Sequence, residues 1–183
     1  MIYIADTNFV KEDFIITSTG NIINRSALIS KPQAVEIPNG RCIVEADVVI
    51  RGDFAPIQLN KFCYVNAKTV LRPPYTLNKG TFRFIPLTIG SHSYIGRNCV
   101  VQAAVIGVGC HIEDNVILSK RCILKDFVYI MRDSVVPPDM VCPPFSIVEG
   151  APAQIVGELP QSTSTIKFAE AVARYKVSFK SLL

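Results

Sequence analysis

From Ile112 onward every sixth residue is apolar: Leu118, Leu124, Ile130, Val136, Cys142 and Val148. Two positions before each runs a second series, Cys110, Val116, Cys122, Val128, Ser134, Met140 and Ser146. Upstream the phase slips by one residue and resumes as Val101, Ile95 and Ile89, with Cys99, Ser93 and Leu87 as companions. A third block runs through Val44, Ile50, Leu59, Val65 and Leu71, accompanied by Cys42, Val48, Ile57, Cys63 and Thr69. An amphipathic helix needs apolar residues at i, i+3, i+4 and i+7, a phase this chain does not hold. A six-residue period with one aliphatic and one mostly smaller inward position instead describes a short strand and a corner, three of which close one triangular coil. The fold class that follows is all-β: a left-handed parallel β-helix of about six or seven coils, stacked at ~4.8 Å per coil. The left hand runs against the usual right-handed rule for parallel crossovers.

The repeat organises the whole chain of 183 residues as one domain. We assign residues 13–153 to the β-helix, 154–164 to a linker and 165–183 to a C-terminal α-helix. In that helix Phe168, Val172, Tyr175, Phe179 and Leu182 form one apolar stripe, expected to lie on the flank of the prism. Ser162, Thr163 or Ser164 is available as its cap. Between Leu71 and Leu87 the segment RPPYTLNKGTFRFIP is too rich in proline for a coil and is read as a protruding loop, residues 72–86.

Composition narrows the function. The net charge is +4 with Lys and Arg scattered, which gives a nucleic-acid surface little support. No apolar run reaches the ~20 residues of a membrane span, and MIYIADTNFVKEDF lacks the basic start and apolar core of a signal peptide. A cytosolic or nuclear protein without membrane insertion is therefore expected. The six cysteines show no CxxC or CxH spacing, so they read as buried small residues rather than a metal cluster. Corner residues such as Asp114-Asn115, Arg97-Asn98 and Asp126 are what tight turns require. His92 and His111 read as surface corner histidines, with no third ligand for a metal.

VIRGD at 49–53, the later PLTIG and the following hexapeptides resemble the γ-class carbonic anhydrase family. The resemblance implies three metal-binding histidines held between protomers. Carried onto this chain, their positions are Arg72, Arg97 and Gln102, none of which is histidine. Arginine stays protonated and offers no lone pair, so a metal site of that kind is lost. The resemblance also makes Arg51 and Asp53 a structural ion pair, within the chain or across a subunit contact. GAPAQIVGELP is similar to the exit sequence shared with hexapeptide acyltransferases, although Gln154 replaces the usual basic residue. A metal-bearing carbonic anhydrase homotrimer or an acyltransferase homotrimer is thus the alternative function.

VLRPP, CVVQAAVIG, RCILKD, VPPDMVCPPFSIVEG and GELP narrow the likeness further. Over roughly residues 13–160 the chain resembles the left-handed β-helix subunits of the dynactin pointed end. That resemblance implies a non-enzymatic, cytoplasmic and cytoskeleton-associated role with no catalytic residue, metal or cofactor. It implies as partners a second β-helix subunit, the pointed-end actin-related protein, a large zinc-binding subunit and dynein cargo adaptors. The 72–86 loop is the first choice of contact surface, through Arg72, Tyr75, Lys79, Phe82, Arg83 and Phe84. For Phe82 and Phe84 the alternative, tucked back onto the prism, stands equally.

Overall fold

The computed structural model describes residues 10–183. Short parallel strands stack into a left-handed triangular solenoid of about six turns with three walls. The first wall has nine strands, seven of them in parallel register from Ile22–Asn24 through Tyr64–Val65 and His111–Ile112 to Ser146–Gly150. The second runs from Leu28–Ser30 to Val135–Val136 and the third from Val35–Glu36 to Val141–Cys142, six strands each.

The six-residue series form the interior. Ile112, Leu118, Leu124, Ile130, Val136, Cys142 and Val148 are fully buried, and so are their companions Val116, Cys122, Val128 and Ser134. Met140 is half-buried and packs on the same core. All six cysteines are buried and free. Burial pushes the thiols of Cys110 and Cys122 up to about 12, so they act as small apolar fillers and not as nucleophiles. At the corners Asp47, Lys68, Asn98, Asn115 and Asp133 take left-handed backbone, the conformation in which Asn and Asp are most at home. Side chains lock coil to coil: the Asp114 carboxylate accepts the Arg97 N–H at 2.7 Å and that of Asp126 accepts the Val108 N–H at 2.8 Å.

Three boundaries differ from the sequence reading. The stretch assigned as a 154–164 linker begins as a strand, Ala153–Glu158, which folds back antiparallel on Ser146–Gly150 and forms the edge of the first wall. Phe14–Ile16 forms the opposite edge in the same way against Ile22–Asn24. Each end of the first wall is thereby a short antiparallel strand, which stands as the edge in place of the last parallel one. The 72–86 loop is a hairpin: Tyr75–Asn78 pairs antiparallel with Thr81–Phe84 around Lys79-Gly80, both with positive φ as a two-residue primed turn requires. The helix, α1 (Thr163–Leu182), starts two residues before the expected 165, and Ser162 precedes it without a side-chain capping bond.

Helix α1 lies along the outer face of the first wall on the expected stripe, with Phe168 against His92 and Phe127 and with Tyr175, Phe179 and Leu182 packed at the far end. Thr163, Ala171, Ser178 and Leu182 are its buried residues, whereas Phe168 is 36% exposed. The wall supplies the large rings here, so small residues on the helix permit close approach. Leu182 packs with Ile22, Ile43 and Tyr64, and the Tyr175 hydroxyl donates to the Gly20 carbonyl at 2.7 Å.

Candidate functional site

The three positions where the carbonic anhydrase pattern would put histidine do not form a donor set. Leu71 pairs with Val101, so Arg72 and Gln102 follow one above the other at the end of the second wall. Arg97 sits at the other end of the same strand, its Nε 3.4 Å from Asn66 Oδ1. It shares an open niche with Glu45, Asn66, Lys68 and Asn98. The Arg72 guanidinium lies 5.1 Å from the Phe54 ring centre, and its Nε is buried with no hydrogen-bond partner. Two guanidinium groups and an amide do not fit a cation, and no step of chemistry can be routed through a metal there. Among the described residues no cluster of three or more His, Cys, Asp or Glu is placed to hold one.

The two histidines have different settings, and only one lies at a corner. His92 takes left-handed backbone there, with its ring 5.2 Å from Phe62 and 4.7 Å from Phe168. His111 lies in a strand of the first wall, in an outward-facing ladder of rings under α1. Tyr64 to Tyr94 is 5.5 Å, Tyr94 to His111 4.7 Å and His111 to Tyr129 5.0 Å between ring centres. Each tyrosine hydroxyl bonds the coil before it: Tyr64 donates to Glu45, Tyr94 accepts from Asn66 at 2.8 Å and Tyr129 donates to Glu113. The residue in that place before His111 is Gly96, which has no side chain, and the Nδ1 of His111 has no partner. Burial, with Lys167 and Arg174 above it, pushes His111 down to about 3. A general base must reach the proton it takes and be poised near the working pH. His111 is covered and held neutral, and His92 is also pushed down, by burial and by Lys61.

Arg174 completes the ladder's cover. Its guanidinium lies 4.6 Å from the centre of Tyr94 and 5.6 Å from that of Tyr64, so the half-buried cation rests against ring faces. The ladder and Arg174 were not singled out from sequence. The signal was there, since a ring precedes the inward aliphatic of successive coils in Tyr94-Ile95, His111-Ile112 and Tyr129-Ile130, 17 and 18 residues apart.

On the hairpin the two phenylalanines part company. Phe84 stacks on Phe54 at 4.7 Å and 15°, and Tyr75 meets Phe84 edge-on while its carbonyl accepts from Arg121 at 2.8 Å. Phe82 is 62% exposed, beside exposed Leu77, Lys79 and Arg83. Phe84 and Tyr75 therefore anchor the hairpin, and Phe82 with Arg83 and Lys79 is what it displays. Arg51 and Asp53 form a bidentate pair within one chain, Nε–Oδ1 and Nη2–Oδ2 both 2.8 Å. At 36% and 38% side-chain exposure this pair is worth little to stability.

The chain matches the dynactin subunit 5 family over residues 2–182. The chain belongs to that family. A curated relative, dynactin subunit 5 of Dictyostelium discoideum, is 36% identical over 99 residues. That match covers 54% of this chain and 50% of the relative, so the chain aligns with about half the relative's length. Solved structures share the fold at low identity. A hexapeptide transferase family protein from Anaplasma phagocytophilum superposes with a TM-score of 0.66 at 15% identity, covering 86% of this chain and 90% of that one. PerB from Caulobacter crescentus, solved with CoA and GDP-perosamine, gives 0.59 at 18% identity over 75% and 57%. In this member of the family the hexapeptide solenoid carries no histidine at the positions Arg72, Arg97 and Gln102. No helix among the described residues is long and apolar enough to cross a membrane.

Proposed function

We propose that this dynactin subunit is a non-enzymatic structural part of the pointed-end assembly. It helps cap the actin-related filament beside the partner β-helix subunit, the pointed-end actin-related protein and the large zinc-binding subunit, and it contacts dynein cargo adaptors in the cytoplasm. The observation that carries the reading is membership of the dynactin subunit 5 family along nearly the whole chain. Two features support it: arginines stand where a metal would need lone pairs, and both histidines are pushed down and have a buried Nδ1 without a partner. The hairpin is the contact we favour, because a rigidly anchored aromatic beside arginine is the composition of interface hot spots.

The test is native mass spectrometry with metal analysis on the purified chain, followed by reconstitution with the other pointed-end subunits. A metal-free chain recovered in a heteromeric assembly is expected; a metal-bearing homotrimer overturns the reading. Replacing Phe82 and Arg83 together by alanine should lower recovery of the assembly or its adaptors at least tenfold with an unchanged melting temperature. Unchanged recovery removes the hairpin from the contact.

A further inference from the structure

The second wall has an outward ladder of its own. Register places Leu28, Val49, Val70, Val100, Ile117 and Val135 one above another on its outer face, aliphatic without interruption. The inward partners Ile50, Leu71, Val101, Leu118 and Val136 are fully buried, so the outward residues do not serve the core. Strand propensity alone does not produce the ladder, because the same places on the third wall carry Glu36, Gln58 and Thr88 before Val105, Ile123 and Val141. Ile117 is 41% and Leu28 60% exposed, and the other four are half-buried. Contiguous apolar surface of this kind marks an interaction site.

The margins of the wall carry charge. At the corner that follows it stand Lys31, Arg51, Arg72 and Lys120, and from the same corner springs the hairpin with Lys79 and Arg83. Arg51 is matched by Asp53, but Lys31, Arg72 and Lys120 enter no ion pair among the described residues. Arg72 Nε is buried and unpartnered at the end of the ladder's third rung. From Phe54 to Ile112 the chain has no acidic residue and six Lys or Arg. The opposite margin is mixed, with Asp47, Lys68, Arg97, Asp114 and Asp133.

The first wall shows what such a ladder accepts as cover. Its rings are overlaid lengthwise by α1, a 20-residue amphipathic helix. Six rungs at ~4.8 Å make the second ladder about 24 Å long, the length of about 16 helical residues. We propose that the second wall docks an amphipathic α-helix of a partner protein, aliphatic along one stripe and acidic along the flank that meets the Arg72 corner. Its carboxylates then face Lys31, Arg72 and Lys120, which enter no ion pair among the described residues. Phe82 is no rung of this ladder, so a variant there tells the hairpin contact from the wall.

The test uses the full chain and two labelled synthetic peptides of about 16 residues, one helical turn longer or shorter being immaterial. Both carry Leu and Ile on one stripe; one has glutamates along a flank and the other lysines. Fluorescence anisotropy should show the glutamate peptide binding at least tenfold tighter than the lysine peptide, with the margin shrinking as salt rises. Val100→Thr with Ile117→Thr should weaken it at least fivefold at an unchanged melting temperature. Arg72→Glu should do the same, with Arg72→Gln as the milder variant if the first perturbs the fold, while Phe82→Ala leaves binding unchanged. Equal binding of the two peptides, no binding, or indifference to the threonine pair overturns the proposal. So does self-association in sedimentation that the threonine pair abolishes, which assigns the wall to a second copy of the chain.

Discussion

The first and second walls share one backbone repeat and differ in what they show the outside. The first presents Tyr64, Tyr94, His111 and Tyr129, ties its hydroxyls to the preceding coil and covers the rings with α1. The second presents Val70, Val100, Ile117 and Val135, and the one α-helix among the described residues packs on the first wall instead. Inward residues of a solenoid are constrained by the coils above and below, and outward ones are free to specialise. The contrast therefore separates stability from recognition: the cover of the first wall contributes to folding, and the aliphatic surface of the second is what the proposed partner helix would cover.

The largest expected effect breaks the cover of the first wall through pH. His111 is held neutral in the folded chain by burial and by Lys167 and Arg174, down to about 3, whereas unfolded it takes a proton near 6.5. Between those values the unfolded state binds more protons, so this contribution to stability is intact above 6.5 and is lost as pH falls toward 3. At pH 4.5 the loss is about 2 to 3 kcal/mol. Denaturant melts of the native chain and His111→Phe at pH 7.5 and 4.5 isolate it, because both share their carboxylates. The variant should lose less stability on acidification by that amount; parallel losses in the two proteins disprove the assignment.

A smaller effect sharpens how α1 is seated. In the corner column beside the first wall, Phe62, His92, Phe127 and Phe145 all take left-handed backbone, and Gly109 occupies the place between His92 and Phe127. A Cβ on Gly109 would come within 2.5 Å of the Phe127 ring. Phe168 of α1 contacts both His92 at 4.7 Å and Phe127 at 5.5 Å across that place. Phe168→Ala removes a partly exposed ring, so the cost should be about 1 to 2 kcal/mol, below the full core value. A thermal melt showing no change means the helix is held by Arg174, Tyr175 and Leu182 alone.

These features explain which parts of the molecule were legible. The interior was, because every coil must fill the same space and so repeats its choice at six-residue spacing, from Cys42 and Val44 to Val148. The hairpin was read as a loop because RPPYTLNKG breaks the six-residue phase and its pairing is local, seen only as YTLN facing TFRF across Lys79-Gly80. The helix and its apolar stripe were readable, but the small and charged residues that share its docking face were not, since Ala171, Ser178 and Arg174 carry no apolar signature and gain their place from the rings opposite. The ladders required counting by whole coils, about 18 residues, and the phase slip before Ile106 and the inserted hairpin hide that period. In sequence His111 reads as a corner residue for the same reason; register with Tyr94 and Tyr129 makes it a rung.

The smallest expected effect tests the second wall. Ile117 and Leu118 are adjacent in one two-residue strand, the first 41% exposed and the second fully buried. Threonine is β-branched and suits a strand, so Ile117→Thr keeps the backbone preference and removes apolar surface that meets only water in the isolated chain. Its effect on the folding free energy should stay within about 0.5 kcal/mol, as for surface changes that touch no buried feature. A denaturation midpoint indistinguishable from the native chain is the outcome that keeps the two walls distinct. A loss several times larger means that Ile117 already supports the solenoid from outside, and the aliphatic ladder then belongs to folding, as the aromatic one does.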